Sequence, residues 1–138
     1  MSATPFSPAA PAAAPRAALR RLLALDAVVT AGNGLAYALF AGPLQRLLGV
    51  GRTPLLVLGV LLAAYGAGVG WLASRPLPAD ALVMAVVEVN CAWVVLSTLS
   101  LALWFEPTTA GLVWIPAQAL VVAAFALLQW RERGSRAQ

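Results

Sequence analysis

Four apolar runs, separated by short polar or proline-bearing breaks, constrain this 138-residue chain more than any other feature. They cover about residues 19–42, 54–73, 79–104 and 108–130. An α-helix rising 1.5 Å per residue needs about 20 residues to cross a hydrocarbon core about 30 Å thick. Each run meets that length. None alternates with the period of two that a membrane barrel strand requires. In lipid the backbone must satisfy its own hydrogen bonds, and a continuous helix does so within one segment. The expected fold is therefore all-α, a four-helix transmembrane bundle with short loops. Composition agrees: 62 % of the residues are hydrophobic and 10 % charged, against about half and a quarter in soluble domains. A water-soluble core of this length would have nowhere to hide that surface.

The breaks have their own chemistry. Residues 1–15, rich in proline and alanine, have no apolar period and read as a disordered tail. An uncleaved first helix is favoured over a signal peptide, because the run is long, contains Asp26 and Asn33, and lacks a clear cleavage site. Gly42-Pro43 closes it, and the amphipathic stretch after it suits an interfacial or tight connection. Pro54 fits the first turn of the second helix, and Arg75, Pro76 and Pro78 form a rigid break. Phe105, Glu106 and Pro107 make the last turn, and residues 132–138 form a basic tail.

All nine basic residues are arginines. Seven of them (Arg16, Arg20, Arg21, Arg75, Arg131, Arg133 and Arg136) fall on one side of a four-span topology, and two (Arg46 and Arg52) on the other. The positive-inside rule then places both termini in the cytoplasm, as in a multi-pass protein of the bacterial inner membrane. Arginines at the edges of apolar runs mark a membrane boundary and argue against nucleic acid as a partner.

Catalytic chemistry has little to work with. Cys91 is the only cysteine, and there is no histidine. Paired-thiol redox chemistry, cysteine zinc sites and histidine-based catalysis are excluded, and neither a metal nor another cofactor is expected.

What remains is a set of polar residues inside the runs. In the first helix Asp26, Thr30, Asn33 and Tyr37 are spaced by four, three and four, which aligns them in one stripe. In the third, Asn90, Trp93, Ser97, Ser100 and Trp104 share a face. Glu88 lies about 200° around from Asn90. Tyr65 sits in the second helix, and Gln118 in the fourth, just past a kink expected at Pro116. At 1.5 Å per residue Glu88 comes out roughly 13 Å deep, with Tyr65 slightly shallower, and Asn33, Asn90 and Gln118 at roughly 16–18 Å. If they face inward they form a polar layer. Glu88 is the sharpest candidate for a titrating group, since a charge at that depth is expensive and no arginine is level with it. Its structural alternatives are a hydrogen bond to an amide or to Tyr65, or a place in a subunit interface. Asp26, about 8 Å in, either joins a ligand site or pairs with Arg20 or Arg21. Gly59, Ala63, Gly66, Ala67 and Gly70 give the second helix a small face for close packing, within the bundle first and between copies second. Trp71, Trp104 and Trp130 fall at run ends as interfacial anchors, and Trp93 is expected in the core.

The segments LDAVVTAGNGLAYALFAGPLQRLLG, NCAW and PAQALVVAAFALLQW resemble a group of small four-helix membrane proteins of high-GC bacteria. The resemblance covers about residues 19–130 and rests on Asp26, Asn33, Gly34, Asn90, Trp93 and Gln118. It implies a fold and no activity. Small multidrug resistance transporters share the size, the four helices and an intramembrane glutamate. In that family the glutamate is in the first helix, where this chain has Asp26. The functional expectation is a non-enzymatic accessory or interaction subunit of a larger membrane complex. A small homo-oligomeric transporter or a ligand- or lipid-binding protein is the second reading, with Glu88, Asn33, Asn90, Gln118, Tyr65 and Asp26 as its candidate residues.

Overall fold

A computed structural model describes residues 9–103 and 107–137, with side chains over 16–103 and 107–134. Of the tail expected to be disordered, 1–15, residues 1–8 lie outside the described residues and residues 9–15 are helical; the anchor Trp104 and the turn residues Phe105 and Glu106 also lie outside the described residues. Five helices follow in order: α1 (Ala9–Leu39), α2 (Ala41–Leu48), α3 (Arg52–Ser74), α4 (Asp80–Leu103) and α5 (Thr109–Ala137). The four long ones contain spans Arg16–Leu39, Arg52–Ser74, Asp80–Leu103 and Thr109–Gly134, each apolar enough to cross a membrane. No strand occurs among the described residues. Only 22–28 % of the most apolar stretch of each span is buried. The remaining apolar surface faces outward, which suits lipid.

Three helix boundaries differ from the sequence reading: α1 stops at Leu39, short of Gly42-Pro43, which fall inside α2 and do not close the first helix. Helix α1 begins at Ala9, ahead of the apolar run, and α5 continues to Ala137 through most of the basic tail. Hydropathy marks where lipid begins, whereas the backbone stays helical into the polar flank. The amphipathic connection is a helix, α2, with Ala41 and Leu48 buried and Gln45 and Arg46 exposed. It stops at Gly49, whose φ of 75° is left-handed and whose N–H donates to Gln45 O at 3.0 Å. That is a glycine C-cap, at a conformation other residues adopt only under strain. Thr108 ties this end to α5. Its N–H donates to Leu48 O at 3.2 Å, its hydroxyl donates to Leu47 O, and its Oγ1 accepts from Gly111 N at 3.2 Å as an N-cap.

The spans form a ring in the order α1, α3, α4, α5. Close backbone contact joins α1 to α3, α4 to α5 and α5 to α1, while α3 and α4 barely touch. The α1/α3 seam is tight because its residues are small. A Cβ on Gly34 would lie 2.5 Å from Ala63 N and 2.7 Å from Gly59 O. One on Gly59 would lie 2.6 Å from Ala38 N, and one on Gly66 2.7 Å from Ala31 N. Thus Gly59 and Gly66 serve packing inside the bundle. Gly70 faces the same seam less tightly, since its Cβ would meet Ala27 Cβ at 3.6 Å, an ordinary van der Waals contact. Ala67 is exposed, off the seam.

Two apolar cores sit at opposite ends of the bundle. One gathers Leu19, Leu23, Ala27, Val69, Leu72, Ala73, Val83 and Val86 near the termini. The other gathers Tyr37, Ala41, Leu48, Val50 and Leu55 beneath α2. Polar residues lie between them.

Gly34→Ala should lower stability by about 1–3 kcal/mol, the usual cost of overpacking, because only backbone is there to yield. Gly68→Ala, with nothing within 4 Å of its added Cβ, should be neutral or slightly stabilising. Thermal unfolding of both variants in detergent measures the contrast; equal midpoints would mean the α1/α3 seam is looser than described.

Candidate functional site

Polar residues meet in three tiers, and α1 contributes to each. The innermost is a closed network around Asp26, which is 1 % exposed. Its Oδ1 accepts from Thr30 Oγ1 at 3.0 Å, one helical turn on. Its Oδ2 accepts from Asn90 Nδ2 of α4 and from Gln129 Nε2 of α5, each at 2.8 Å. Asn90 Nδ2 also donates to Gln129 Oε1 at 3.2 Å, and the Tyr65 hydroxyl of α3 lies 3.2 Å from Asn90 Oδ1 and 3.4 Å from Val86 O. All four spans are thereby joined in one network, α1, α4 and α5 at the carboxyl group and α3 through Asn90. Asn90 and Gln129 are 3 % and 0 % exposed.

The second tier is Asn33 Nδ2 donating to Gln118 Oε1 at 3.0 Å. The third is Trp114 Nε1 donating to the Tyr37 hydroxyl at 2.9 Å. The pairs 26–129, 33–118 and 37–114 run in opposite directions along α1 and α5, as antiparallel neighbours must. Asp26, Thr30, Asn33 and Tyr37 do form one inward stripe, and each finds a partner.

Two expectations need correction. Asp26 does not pair with its arginine flank: Arg20 Nε donates to Ala73 O at 3.0 Å instead. The stripe turns Asp26 inward, toward the amides, while Arg20 stays at the bundle end. Glu88 does not join the polar layer. It is exposed on the outer face of α4, because burying Asn90 turns a residue about 200° away outward. Gln118 accepts from Asn33 through its oxygen, and α5 runs helically through Pro116. Sequence reasoning missed Gln129. It sits between an apolar run and Trp130-Arg131, where a glutamine looks interfacial, yet seven residues after Val122 it shares the inner face with Gln118 and Phe125. Among the anchors, Trp71 is exposed near the end of α3 and Trp130 is exposed inside α5 at the end of its apolar run, while Trp93 is half-buried.

The open α3/α4 seam makes a cleft beside these tiers. One cavity of about 290 Å³ reaches Thr30, Tyr65 and Asn90. Another of about 280 Å³ extends to Leu48, Val50 and Ser100, and the two share Tyr37, Leu58, Trp93 and Gln118. The expected face of α4, with Asn90, Trp93, Ser97 and Ser100, lines it. Among the described residues, no group of three His, Cys, Asp or Glu side chains comes together as metal ligands. At the terminal end Arg133 Nη2 donates to Asp80 Oδ2 at 2.9 Å, with Nε 2.7 Å from Oδ1, pinning α5 to the start of α4.

Fold and site together define a small polytopic membrane protein built around a buried polar network. No protein-family model, curated protein or solved structure matches the chain.

Asp26→Ala would strand the Asn90 and Gln129 amides and should cost about 2–4 kcal/mol, since unmet buried donors pay their full desolvation. Asp26→Asn keeps an acceptor facing them and should cost less than half as much. Unfolding midpoints in detergent test this; equal losses would show that charge, and not hydrogen bonding, holds the network.

Proposed function

We propose that this protein is a non-enzymatic interaction subunit that docks against a larger membrane protein through the outer face of α4. The observation that carries the reading is Glu88. It sits mid-helix on a lipid-facing surface, with no hydrogen bond or ion pair to any described residue. A carboxyl group facing lipid costs several kcal/mol when charged, and polar groups in spans generally meet a partner. Arg20 and Arg21, the described arginines furthest inside a span, stand about 6 and 8 Å from its start at 1.5 Å per residue, short of the roughly 13 Å depth of Glu88, so no described arginine is level with it. The same face carries Ala81, Ala85, Cys91 and Ala92, all exposed and all small. Small neighbours let a second helix approach closely enough to reach the carboxyl. The partner is a transmembrane helix that brings a basic or hydrogen-bond-donating side chain to the level of Glu88.

Capture of the tagged protein in native nanodiscs, followed by native mass spectrometry, tests this. A hetero-complex is expected, with partner recovery falling at least tenfold in Glu88→Leu and less in Glu88→Gln. Both variants should unfold at the wild-type temperature, because Glu88 makes no hydrogen bond or ion pair to any described residue. A self-contained monomer or homo-oligomer, or undiminished recovery in Glu88→Leu, overturns the reading.

The arginine bias supports a cell-membrane orientation with both termini in the cytoplasm. A reporter fused after Gln138 should be active only in the cytoplasmic format, and one inserted at Gly49 only in the external format. The reverse pattern would invert the orientation.

A further inference from the structure

The cleft between α3 and α4 is independent of the Glu88 face and has chemistry of its own. Its two cavities, about 280 and 290 Å³, meet at a waist walled by Tyr37, Leu58, Trp93 and Gln118. Together they reach the range of small-molecule sites, roughly 300–1,000 Å³. No Asp, Glu or Arg lines either one. Most of the wall is aliphatic or aromatic, so the site suits a neutral, apolar molecule.

Unmet donors at the waist specify one feature of that molecule. Gln118 commits its oxygen to Asn33 Nδ2, which fixes the amide orientation and leaves Nε2 as a donor. Neither Gln118 Nε2 nor Trp93 Nε1 has an acceptor among the described residues, and neither is sealed off from the surface. In a membrane an unmet N–H costs free energy that water cannot relieve. Trp93 stands about 15 Å from the Leu103 end of α4, and Gln118 about 14 Å from the start of α5, at 1.5 Å per residue. In a hydrocarbon core about 30 Å thick that is close to the midplane. The mouth is rimmed by Leu61, Val89 and Leu96, all exposed, so an apolar tail would leave directly into lipid.

We propose that the α3/α4 cleft binds a neutral lipophilic carbonyl compound of the membrane, whose oxygen accepts from Trp93 Nε1–H and Gln118 Nε2–H. The depth favours a carbonyl on an otherwise apolar body, as in a prenylated quinone, over a glycerolipid ester, whose carbonyls sit near the interface. The aromatic walls of Tyr37, Trp93 and Trp114 fit a flat ring.

The experiment titrates the full-length protein in detergent with three probes, decylubiquinone, dioleoylglycerol and decylbenzene, and counts bound molecules by native mass spectrometry. Decylubiquinone should bind one per chain and at least tenfold tighter than decylbenzene, which has the tail and no acceptor. Trp93→Phe, which removes one donor and keeps the ring, should weaken decylubiquinone five- to tenfold and leave decylbenzene unchanged. Leu58→Trp should fill the waist and abolish binding, with unfolding midpoints confirming that both variants fold. Preference for dioleoylglycerol would keep the carbonyl chemistry and assign it to a glycerolipid. Equal binding of decylbenzene, no response to Trp93→Phe, undiminished binding in Leu58→Trp, or no binding of any probe would overturn the proposal.

Discussion

A carboxyl group shut away from water must be given hydrogen-bond donors, and the way Asp26 receives them organises this bundle. Three donors reach it, from Thr30 one turn along α1, Asn90 on α4 and Gln129 on α5. Asn90 is the more telling of the two amides. The backbones of α1 and α4 stand on opposite sides of the ring with no close approach, so its side chain crosses the interior to reach the acid. Tyr65 then ties α3 to the far side of the same amide. A van der Waals seam can slide by a residue at modest cost, whereas this network has one register in which every member is satisfied. Lipid supplies no driving force for apolar helices to associate with one another. Polar satisfaction and close packing therefore set the arrangement between them.

Those two forces act on different seams, which is why the ring is uneven. Gly34, Gly59 and Gly66 let α1 and α3 approach until backbone meets backbone. Between α1 and α5 the distance is set by side-chain pairs instead, 26 with 129, 33 with 118 and 37 with 114. The seam between α3 and α4 has neither device over most of its length. Val83 and Val86 join the core near the termini; beyond them, Leu58 of α3 and Trp93 and Leu96 of α4 line the open cleft. The cleft is thus a consequence of how the other seams are made, and its polar floor consists of residues that already brace the bundle.

How far this was legible in the sequence depends on the kind of signal. Span number and limits follow from run length, and the inner stripe of α1 follows from its four-three-four spacing, because both are local properties of one helix. The small face of α3 was legible for the same reason, although its partner was not. Choosing between Asp26 and Glu88 needed tertiary information. Both are acids within apolar runs, and the deeper one looked the more constrained. Depth along the axis says nothing about rotation around it, and rotation decided the outcome: once Asn90 faces the interior, Glu88 two residues earlier cannot. Gln129 was hidden by its neighbours. Trp130 and Arg131 mark the end of the membrane, and a glutamine beside them reads as wet until Asp26 is seen opposite.

The division of acids has a functional consequence. An acid with three donors and near-zero exposure is committed, since moving Asp26 would break contacts to two other spans at once. An acid with no hydrogen bond or ion pair to any described residue is uncommitted, and that is the position of Glu88. Selection for stability alone has no reason to keep a carboxyl group on a lipid-facing surface where it is expensive. The interior polar groups are explained by the bundle. The exterior one is not, and that asymmetry is why a partner is proposed on α4.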